Sequence, residues 1–389
     1  MASIKAAWLT AAAYAGMFTF GIVMALLGAI LPLYVSRASM DLSGAANLFL
    51  TMNAAMLVTT VILGPLLDRY GLRLPMIVAP LCVALGTVMI GTAKTTGALT
   101  SAVILLGSGG GALNQATNTL IADLHQKSRR KNAALNVLGV YFGFGALFVP
   151  FLLGSLLSSL GARNILESAA VLIVLPGLVS SLLRFPPPRQ ARSAGLRNTW
   201  EFLKKPLVLA FGILLFFESG NEFILGGYYS SYLTRDLHVP VSKASYALAG
   251  YWAAMMLARV VLGRLLLRMR GELLIRISAL SVAICVLLLT TVHSPGVAAV
   301  LGAVLGASTA AIFPTALGLA GTRYGSHSGT VFGLLIGIAL TGGMLMPWTM
   351  GRVAAAHSIR VAWLIPAAAA LAIFVLQLVT ERLGKEQTH

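Results

Sequence analysis

Charged residues are scarce in this 389-residue chain, at 10% of the sequence, whereas soluble globular proteins carry about 25%. Hydrophobic residues make up 58%, and the mean hydropathy is +0.88. They fall into repeated windows of about 20 residues, each long enough to cross a hydrocarbon core roughly 30 Å thick. The composition excludes an ordinary soluble enzyme and predicts an all-α membrane protein.

Cysteine is also rare, and the two cysteines lie far apart. Cys82 and Cys285 both fall inside apolar windows, so neither a disulfide framework nor a zinc cluster can be built from them. The sequence also lacks the Gly-rich loop G-x-x-x-x-G-K-[ST] that cradles nucleotide phosphates. We therefore expect no metal and no cofactor, and a proton gradient as the driving force.

Hydropathy predicts twelve transmembrane helices. The first window lacks a short apolar region followed by a small-residue cleavage site, so we expect a retained helix and not a signal peptide. The windows cover residues 8–34, 45–66, 73–93, 97–122, 132–155, 163–184, 206–233, 243–265, 272–292, 296–320, 328–350 and 358–381.

The formal net charge of +17 is explained by topology. With the N-terminus inside, twenty of the 28 Lys and Arg lie in inner segments and seven in outer ones, while Arg259 lies within a window. This bias predicts that both termini are cytoplasmic, in a bacterial-type inner membrane. Inner cations would contact anionic lipids, and no nucleic-acid partner is expected.

Repeats divide the chain into two halves. Pro150-Phe-Leu-Leu-Gly154 recurs as Pro347-Trp-Thr-Met-Gly351, at an offset of 197 residues, and two further echoes have offsets of 195 and 199. The polar segment around Pro186-Pro187-Pro188 separates six windows from six. We predict two pseudo-symmetric six-helix bundles, 1–184 and 206–389, joined by a cytoplasmic linker at 185–205.

The loop between the second and third windows carries a more specific pattern. It reads roughly G-x-x-x-D-R-x-G-x-R, met by Gly64, Asp68, Arg69, Gly71 and Arg73. Here the chain resembles the major facilitator superfamily over essentially its whole length. The resemblance implies the major facilitator fold, transport by alternating access, and a latch in which these residues gate transport without contacting substrate.

Only two of the eleven carboxylates lie mid-span, Glu218 and Glu222. An ionised carboxylate is costly at the bilayer centre, so such a group usually faces a cavity and is often functional. At positions i and i+4 the two share a helix face, where repulsion and desolvation favour binding of a proton. They are the candidate proton-coupling residues; alternatively, one stays neutral and hydrogen-bonds a neighbouring helix.

The seventh window is similar to a stretch of the fucose/galactose/glucose proton-symporter group within that superfamily. Gly220, Glu222, Tyr232 and Leu233 match, and Tyr228 or Tyr229 stands where the group has Trp. The resemblance implies proton-coupled sugar uptake. That group often has carboxylates in helices one and four, whereas here the first window has none and Asp123 lies at the inner end of the fourth. Facilitated diffusion and sodium coupling therefore stay open.

Amides and aromatic residues are the candidate substrate contacts. Amides gathered in one bundle can donate to and accept from sugar hydroxyls, and aromatic rings can cover a sugar's C–H face. Interhelical hydrogen bonding is the alternative role for each amide. The candidates are Asn114, Gln115, Asn118, Asn136, Tyr141, Asn221, Glu222, Tyr228 and Trp252.

These features predict a monomeric secondary transporter that takes up a neutral polar solute, such as a hexose, with a proton. An exporter of a drug or lipid-like amphipath is the alternative, although Val149-Pro150-Phe-Leu-Leu-Gly154 departs from the G-P-x-x-G-G pattern typical of drug antiporters. Enzyme activity is not expected, because His293 and His327 lie near span ends and both mid-span acids share one helix.

Overall fold

The computed structural model describes residues 2–37, 41–124, 128–187, 202, 204–265, 269–324 and 328–386. These residues form thirteen helical segments and no β-strand. The segments are α1 Ala2–Arg37, α2 Leu42–Tyr70, α3 Arg73–Thr92, α4 Thr96–Leu124, α5 Ser128–Leu182, α6 Pro206–Arg235, α7 Val241–Leu265, α8 Gly271–Thr291, α9 Pro295–Thr309, α10 Ile312–Arg323, α11 Ser328–Ala356, α12 Ile359–Ala362 and α13 Leu364–Glu386.

Local sequence signals set several helix ends. The carboxylate of Asp41 accepts a hydrogen bond from the backbone N–H of Gly44 at 2.7 Å, which caps α2 at its N-terminus. Gly71 ends the same helix with φ 80°, a conformation that glycine adopts without steric cost. Pro206 begins α6, where its missing N–H removes no helical hydrogen bond.

Three interruptions explain how thirteen segments make twelve spans. One of them is Trp363, which separates the four-residue α12 from α13 within a single span. Gly161, with φ 71° and ψ 159°, turns the chain inside α5, so this 55-residue segment contains two helices. Residues 310–311 separate α9 from α10 just before Pro314, which cannot continue a helical hydrogen-bond ladder. Eleven described helices are long and apolar enough to cross a membrane, and one of them, of 46 residues, includes Gly161. The predicted twelve-span membrane fold is confirmed.

The two ends of the bundle are packed differently. We call the end at which α5 ends and α6 begins the linker end, and the opposite one the far end. A single apolar core that includes Ile30, Phe49, Tyr228 and Trp363 spans both halves toward the far end. At the linker end the apolar residues form two separate clusters, one in α1–α5 and one in α6–α13 and the segment preceding them. The halves are therefore joined at the far end and divided at the linker end.

Hydrogen bonds between the halves follow the same pattern. Ser230 donates to the carbonyl of Gly28 at 2.7 Å, and Tyr246 donates to Ser155 at 3.0 Å. Two further bonds join α11 to α2 at the far end: Trp348 Nε1 donates to Asn47 Oδ1 at 3.1 Å, and Arg352 Nη1 to Ser43 Oγ at 3.0 Å. These bonds hold the far end closed.

The predicted halves and linker stay a prediction, because 188–201 and 203 lie outside the described residues.

Candidate functional site

A cavity of about 180 Å³ lies between the two halves. Its residues come from α1, α2, α4 and α5 on one side and from α6, α7, α10 and α11 on the other. They lie between the middle of the bundle and the linker end. The lining residues are Met17, Phe20, Met24, Met56, Asn114, Phe142, Ser219, Glu222, Phe223, Arg259, Phe313, Ile336, Ala339 and Leu340. A concave site of this kind between two helix bundles is a candidate binding site for a small molecule.

The cavity is apolar except for four side chains. Asn114 faces it from the first half, and Ser219, Glu222 and Arg259 face it from the second. Ten of the fourteen lining residues are therefore apolar, and one acid and one base supply its charge. In such a setting a charged group interacts strongly with any charge or dipole nearby, because the local dielectric constant is low.

The two glutamates of α6 lie in different environments. Glu222 faces the cavity, whereas Glu218, one turn earlier, is 1% exposed. Neither carboxylate oxygen of Glu218 has a hydrogen-bond partner among the described residues. Gly220 lets α6 pack tightly against α11, because a Cβ at this position would overlap the side chain of Met346. Of the two acids, Glu222 therefore lies at the cavity, whereas Glu218 is buried.

Arg259 completes the site, and its role was not predicted from the sequence. Its guanidinium lies over the ring of Phe142 in the opposite half, with Cζ 5.4 Å from the ring centroid. Its Nε is buried without a hydrogen-bond partner among the described residues. Arg259 and Glu222 line the same cavity. The available signal was that Arg259 lies deeper inside a hydropathy window than any other cation of the sequence, an uncommon and often functional position.

Of the amides in α4, Asn114 lines the cavity, while Gln115 and Asn118 are not among its lining residues. Asn118 Nδ2 donates to the backbone carbonyl of Asn114 at 2.8 Å and to its Oδ1 at 3.0 Å. Asn118 therefore orients the side chain of Asn114. The side chain of Asn136 lies outside the described residues.

The remaining candidate substrate contacts are not among the residues that line the cavity in this conformation. Asn221 donates from Nδ2 to the carbonyl of Pro366 at 3.2 Å, which ties α6 to α13. Tyr141 stacks on Tyr14, with ring centroids 4.7 Å apart. Tyr228 and Trp252 are at most 1% exposed, against aromatic residues of the first half. In this conformation these four side chains contribute to helix packing.

The proposed gating residues lie at the linker end. Arg69 lies over the ring of Tyr70, with Cζ 5.3 Å from its centroid, and Arg73 Nη2 donates to the carbonyl of Ser181 at 3.3 Å. A Cβ at Gly64 would meet only Gln115 Nε2, at 3.9 Å, so this glycine makes no tight helix contact in this conformation. The side chain of Asp68 lies outside the described residues. Gly71 ends α2, as its place in the motif requires.

No group of three or more His, Cys, Asp or Glu that could hold a metal occurs in the part of the chain that the structure describes.

Comparison with known proteins identifies the family of this chain. The sequence model of the Major Facilitator Superfamily matches residues 13–217 and 211–388. Among curated proteins, no sequence matches. A crystal structure of a mutant of the nucleoside transporter NupG is similar, with a TM-score of 0.80 and 14% identity over 96% of this chain and 99% of that one.

A bacterial homologue of the human lysosomal transporter Spinster, in an inward-facing and occupied conformation, is also similar. Its TM-score is 0.74, with 15% identity over 98% of this chain and 97% of that one. At these identities the two structures show a shared fold. The family match covers nearly the whole chain and confirms the superfamily expected from the loop between α2 and α3. The chain therefore belongs to the Major Facilitator Superfamily, and it is a secondary transporter and not an enzyme.

Proposed function

We propose that the chain takes up a neutral polar solute, such as a hexose, together with a proton. The observation that supports this most is the position of Glu222, an acid facing a cavity between two halves that are joined at only one end. A buried carboxylate that reaches solvent through such a cavity can take up and release a proton. The fucose/galactose/glucose group, which α6 resembles, uses an acid at this position of its motif.

In transport by alternating access, the closed far end corresponds to one of the two states of the cycle. The cation bias of the sequence supports a linker end in the cytoplasm, and with that orientation this conformation would be inward-facing. The halves would rock about the cavity, opening the far end while the linker end closes. In that cycle the latch at the linker end controls turnover and not affinity. It is formed by Gly64, Asp68, Arg69, Gly71 and Arg73. The transporter would act as a monomer in a bacterial-type inner membrane, with inner cations contacting anionic lipids.

The lining supplies the contacts that a sugar requires. Asn114 and Ser219 can hydrogen-bond hydroxyl groups, and the rings of Phe20 and Phe142 can cover an apolar sugar face. The remaining candidates would orient Asn114, pack between helices, or reach the substrate in another state of the cycle. They are Gln115, Asn118, Asn136, Tyr141, Asn221, Tyr228 and Trp252.

Uptake by purified protein in liposomes tests this function. Radiolabelled D-glucose, D-galactose and L-fucose are each offered with an imposed inward proton gradient, with a sodium gradient, and with neither. We expect accumulation above the outside concentration only with the proton gradient. Accumulation with the sodium gradient, or equilibration without accumulation under every condition, would contradict proton coupling.

The apolar character of the cavity favours a second candidate, export of an amphipathic molecule. Three methionines, Met17, Met24 and Met56, line the first half of the cavity, and flexible thioether side chains suit apolar ligands of varied shape. Extrusion of rhodamine 6G from energised cells separates the two candidates. Extrusion that depends on Glu222, without uptake of any of the three sugars, would favour the exporter.

A further inference from the structure

The polar side chains of the cavity are not spread evenly along its depth. Helices α4 and α7 both run toward the linker end, and each contributes one polar lining residue. Arg259 lies six residues before the end of α7 at Leu265, and Asn114 lies ten residues before the end of α4 at Leu124. At a rise of 1.5 Å per residue, they lie about 9 and about 15 Å from the linker end. Polar contacts are therefore available on the side where the halves are divided.

The lining residues nearest the closed far end are apolar. Helices α1, α6 and α11 run from the linker end to the far end, and the last lining residue along each is Met24, Phe223 and Leu340, respectively. All three belong to the apolar core that joins the halves toward the far end, as does Met56 of α2. We call these four residues the apolar floor of the cavity. None of them carries a strong hydrogen-bonding group on its side chain.

The polar groups of α6 come just before the apolar floor. Ser219 and Glu222 precede Phe223 along the helix, and both line the cavity. A solute in the cavity can therefore form hydrogen bonds up to the level of the apolar floor, but not with the floor itself. This arrangement suits a molecule that is polar at one end and apolar at the other.

A free hexose matches such a cavity incompletely. It carries hydroxyl groups around its whole ring, so those directed at the apolar floor would lose water without gaining a partner, which is unfavourable. A solute with an apolar group at that end avoids this loss. Burial of the apolar group against the floor then adds favourable binding free energy.

We propose that the transported solute is an amphipathic glycoside, in which a monosaccharide is joined to a small apolar group such as a phenyl ring. The sugar contacts Asn114, Ser219 and Glu222, and the apolar group packs on the apolar floor. The thioether side chains of Met24 and Met56 can adapt to the shape of that group. This inference rests on the proposed transport of a sugar-like solute and adds the apolar part of the molecule to it.

Calorimetric titration of the wild-type protein tests the proposal without any gradient. The protein is extracted directly into lipid discs by a styrene–maleic acid copolymer, because alkyl-glycoside detergents are themselves amphipathic glycosides and would compete for the site. The probes are the methyl and phenyl β-glycosides of D-glucose, D-galactose and L-fucose, together with benzyl alcohol. Empty lipid discs give the background from partition into lipid.

We expect the phenyl glycoside of at least one sugar to bind about tenfold or more tightly than the methyl glycoside of the same sugar, as burial of a phenyl ring predicts. Benzyl alcohol should bind more weakly than that phenyl glycoside, because it lacks the sugar. Equal affinities within all three pairs would overturn the proposal, and so would a failure of every phenyl glycoside to bind. Binding of benzyl alcohol as tight as that of the phenyl glycosides would overturn the sugar part.

Two methionines of α2 locate the apolar group. Met56 and Met52 lie one turn apart and are 1% and 0% exposed, but Met56 lines the cavity and Met52 is not among its lining residues. Met56→Ala should reduce the affinity ratio of phenyl to methyl glycoside by about threefold or more, whereas Met52→Ala should leave it unchanged. The ratio compares two ligands on one protein, so a loss of stability alone does not alter it. An unchanged ratio in Met56→Ala, or in Leu340→Ala if Met56→Ala does not fold, would overturn the proposal.

The outcome is separable from that of the proposed function. Proton-driven accumulation of a free hexose, without preference for any phenyl glycoside in the titrations, would refute the amphipathic solute and leave the proposed function standing. Preference for a phenyl glycoside, without accumulation of that glycoside in liposomes under a proton gradient, would refute proton coupling and leave the solute class standing.

Discussion

The backbone of Gly28 in α1 lies directly against the carbonyl group of Gly226 in α6, so the two halves touch at residues that have no side chains. A Cβ at Gly28 would overlap the Gly226 oxygen. One turn further along α6, Ser230 donates to the carbonyl of Gly28. Small residues let two helices approach closely enough for such contacts. This pair forms part of the closed far end.

Gly28→Ala should therefore open the far end. Overpacking a tight contact costs about 1–3 kcal/mol, which would shift the ratio of the two conformations by about 5- to 150-fold. Electron–electron distance measurements between spin labels at Lys94 and Lys243, on far-end positions of the two halves, would report longer distances in the variant.

Gly250→Ala is the matched control for this substitution. It makes the same chemical change within a helix, but the added carbon would meet no atom of another element within 4 Å. We expect its distance distribution to equal that of the wild type. Equal distributions for all three proteins would show that the Gly28 contact does not hold the far end closed.

Arg360 should stabilise the second half without affecting exchange between conformations. It pairs with Asp236 and donates to the carbonyl groups of Thr290 and Val292, so it joins three segments of one half. Its side chain is 24% exposed. Arg360→Ala should cost about 2–4 kcal/mol, since it leaves a partly buried acid and two carbonyl groups unpaired. Thermal unfolding measures the loss.

Arg163 provides the comparison for Arg360. It also pairs with an acid, Glu167, at 2.7 Å, but its side chain is 68% exposed. An exposed pair of this kind within one helix is worth about 0.5 kcal/mol or less, so Arg163→Ala should melt close to the wild type. Similar losses in the two variants would show that the contacts of Arg360 between segments add no stability beyond that of an exposed ion pair.

Asn114→Ala should weaken sugar binding by about 1–3 kcal/mol, because hydroxyl groups of the solute would lose a hydrogen-bond partner in a mostly apolar cavity. The melting temperature of the empty protein should change little. Calorimetric titration with the transported sugar measures the first quantity. Asn118→Ala should have a smaller effect on affinity, since Asn118 reaches the site only through Asn114. Loss of stability with retained affinity in Asn114→Ala would assign that amide to helix packing.

Hydropathy was sufficient to predict the spans. Each span is predicted from the hydropathy of about 20 consecutive residues. Because every backbone N–H and C=O group must be hydrogen-bonded in lipid, a chain of this composition crosses the membrane as helices. The break at 310–311 was not predicted, because a proline near the middle of an apolar window can be accommodated by a kink as well as by two segments.

The site was predicted less completely, for a physical reason. The mid-span position of Glu222 is visible in the sequence, since charge at the bilayer centre is costly wherever the helix faces. Whether Asn221 faces the cavity or the carbonyl of Pro366, 145 positions away, depends on how α6 and α13 pack. The contact of Arg259 with Phe142 depends in the same way on two helices from different halves. No local pattern records such distant contacts.

Transport by Glu222→Gln tests the central claim, that Glu222 couples solute movement to protons, most directly. The amide imitates the protonated acid and cannot release a proton. In liposomes with an imposed proton gradient, the wild type and the control Glu167→Gln, which alters an exposed acid, should accumulate labelled sugar. Glu222→Gln should fail to accumulate it while still exchanging labelled for unlabelled sugar across the membrane at equilibrium. Wild-type accumulation by Glu222→Gln would contradict the claim.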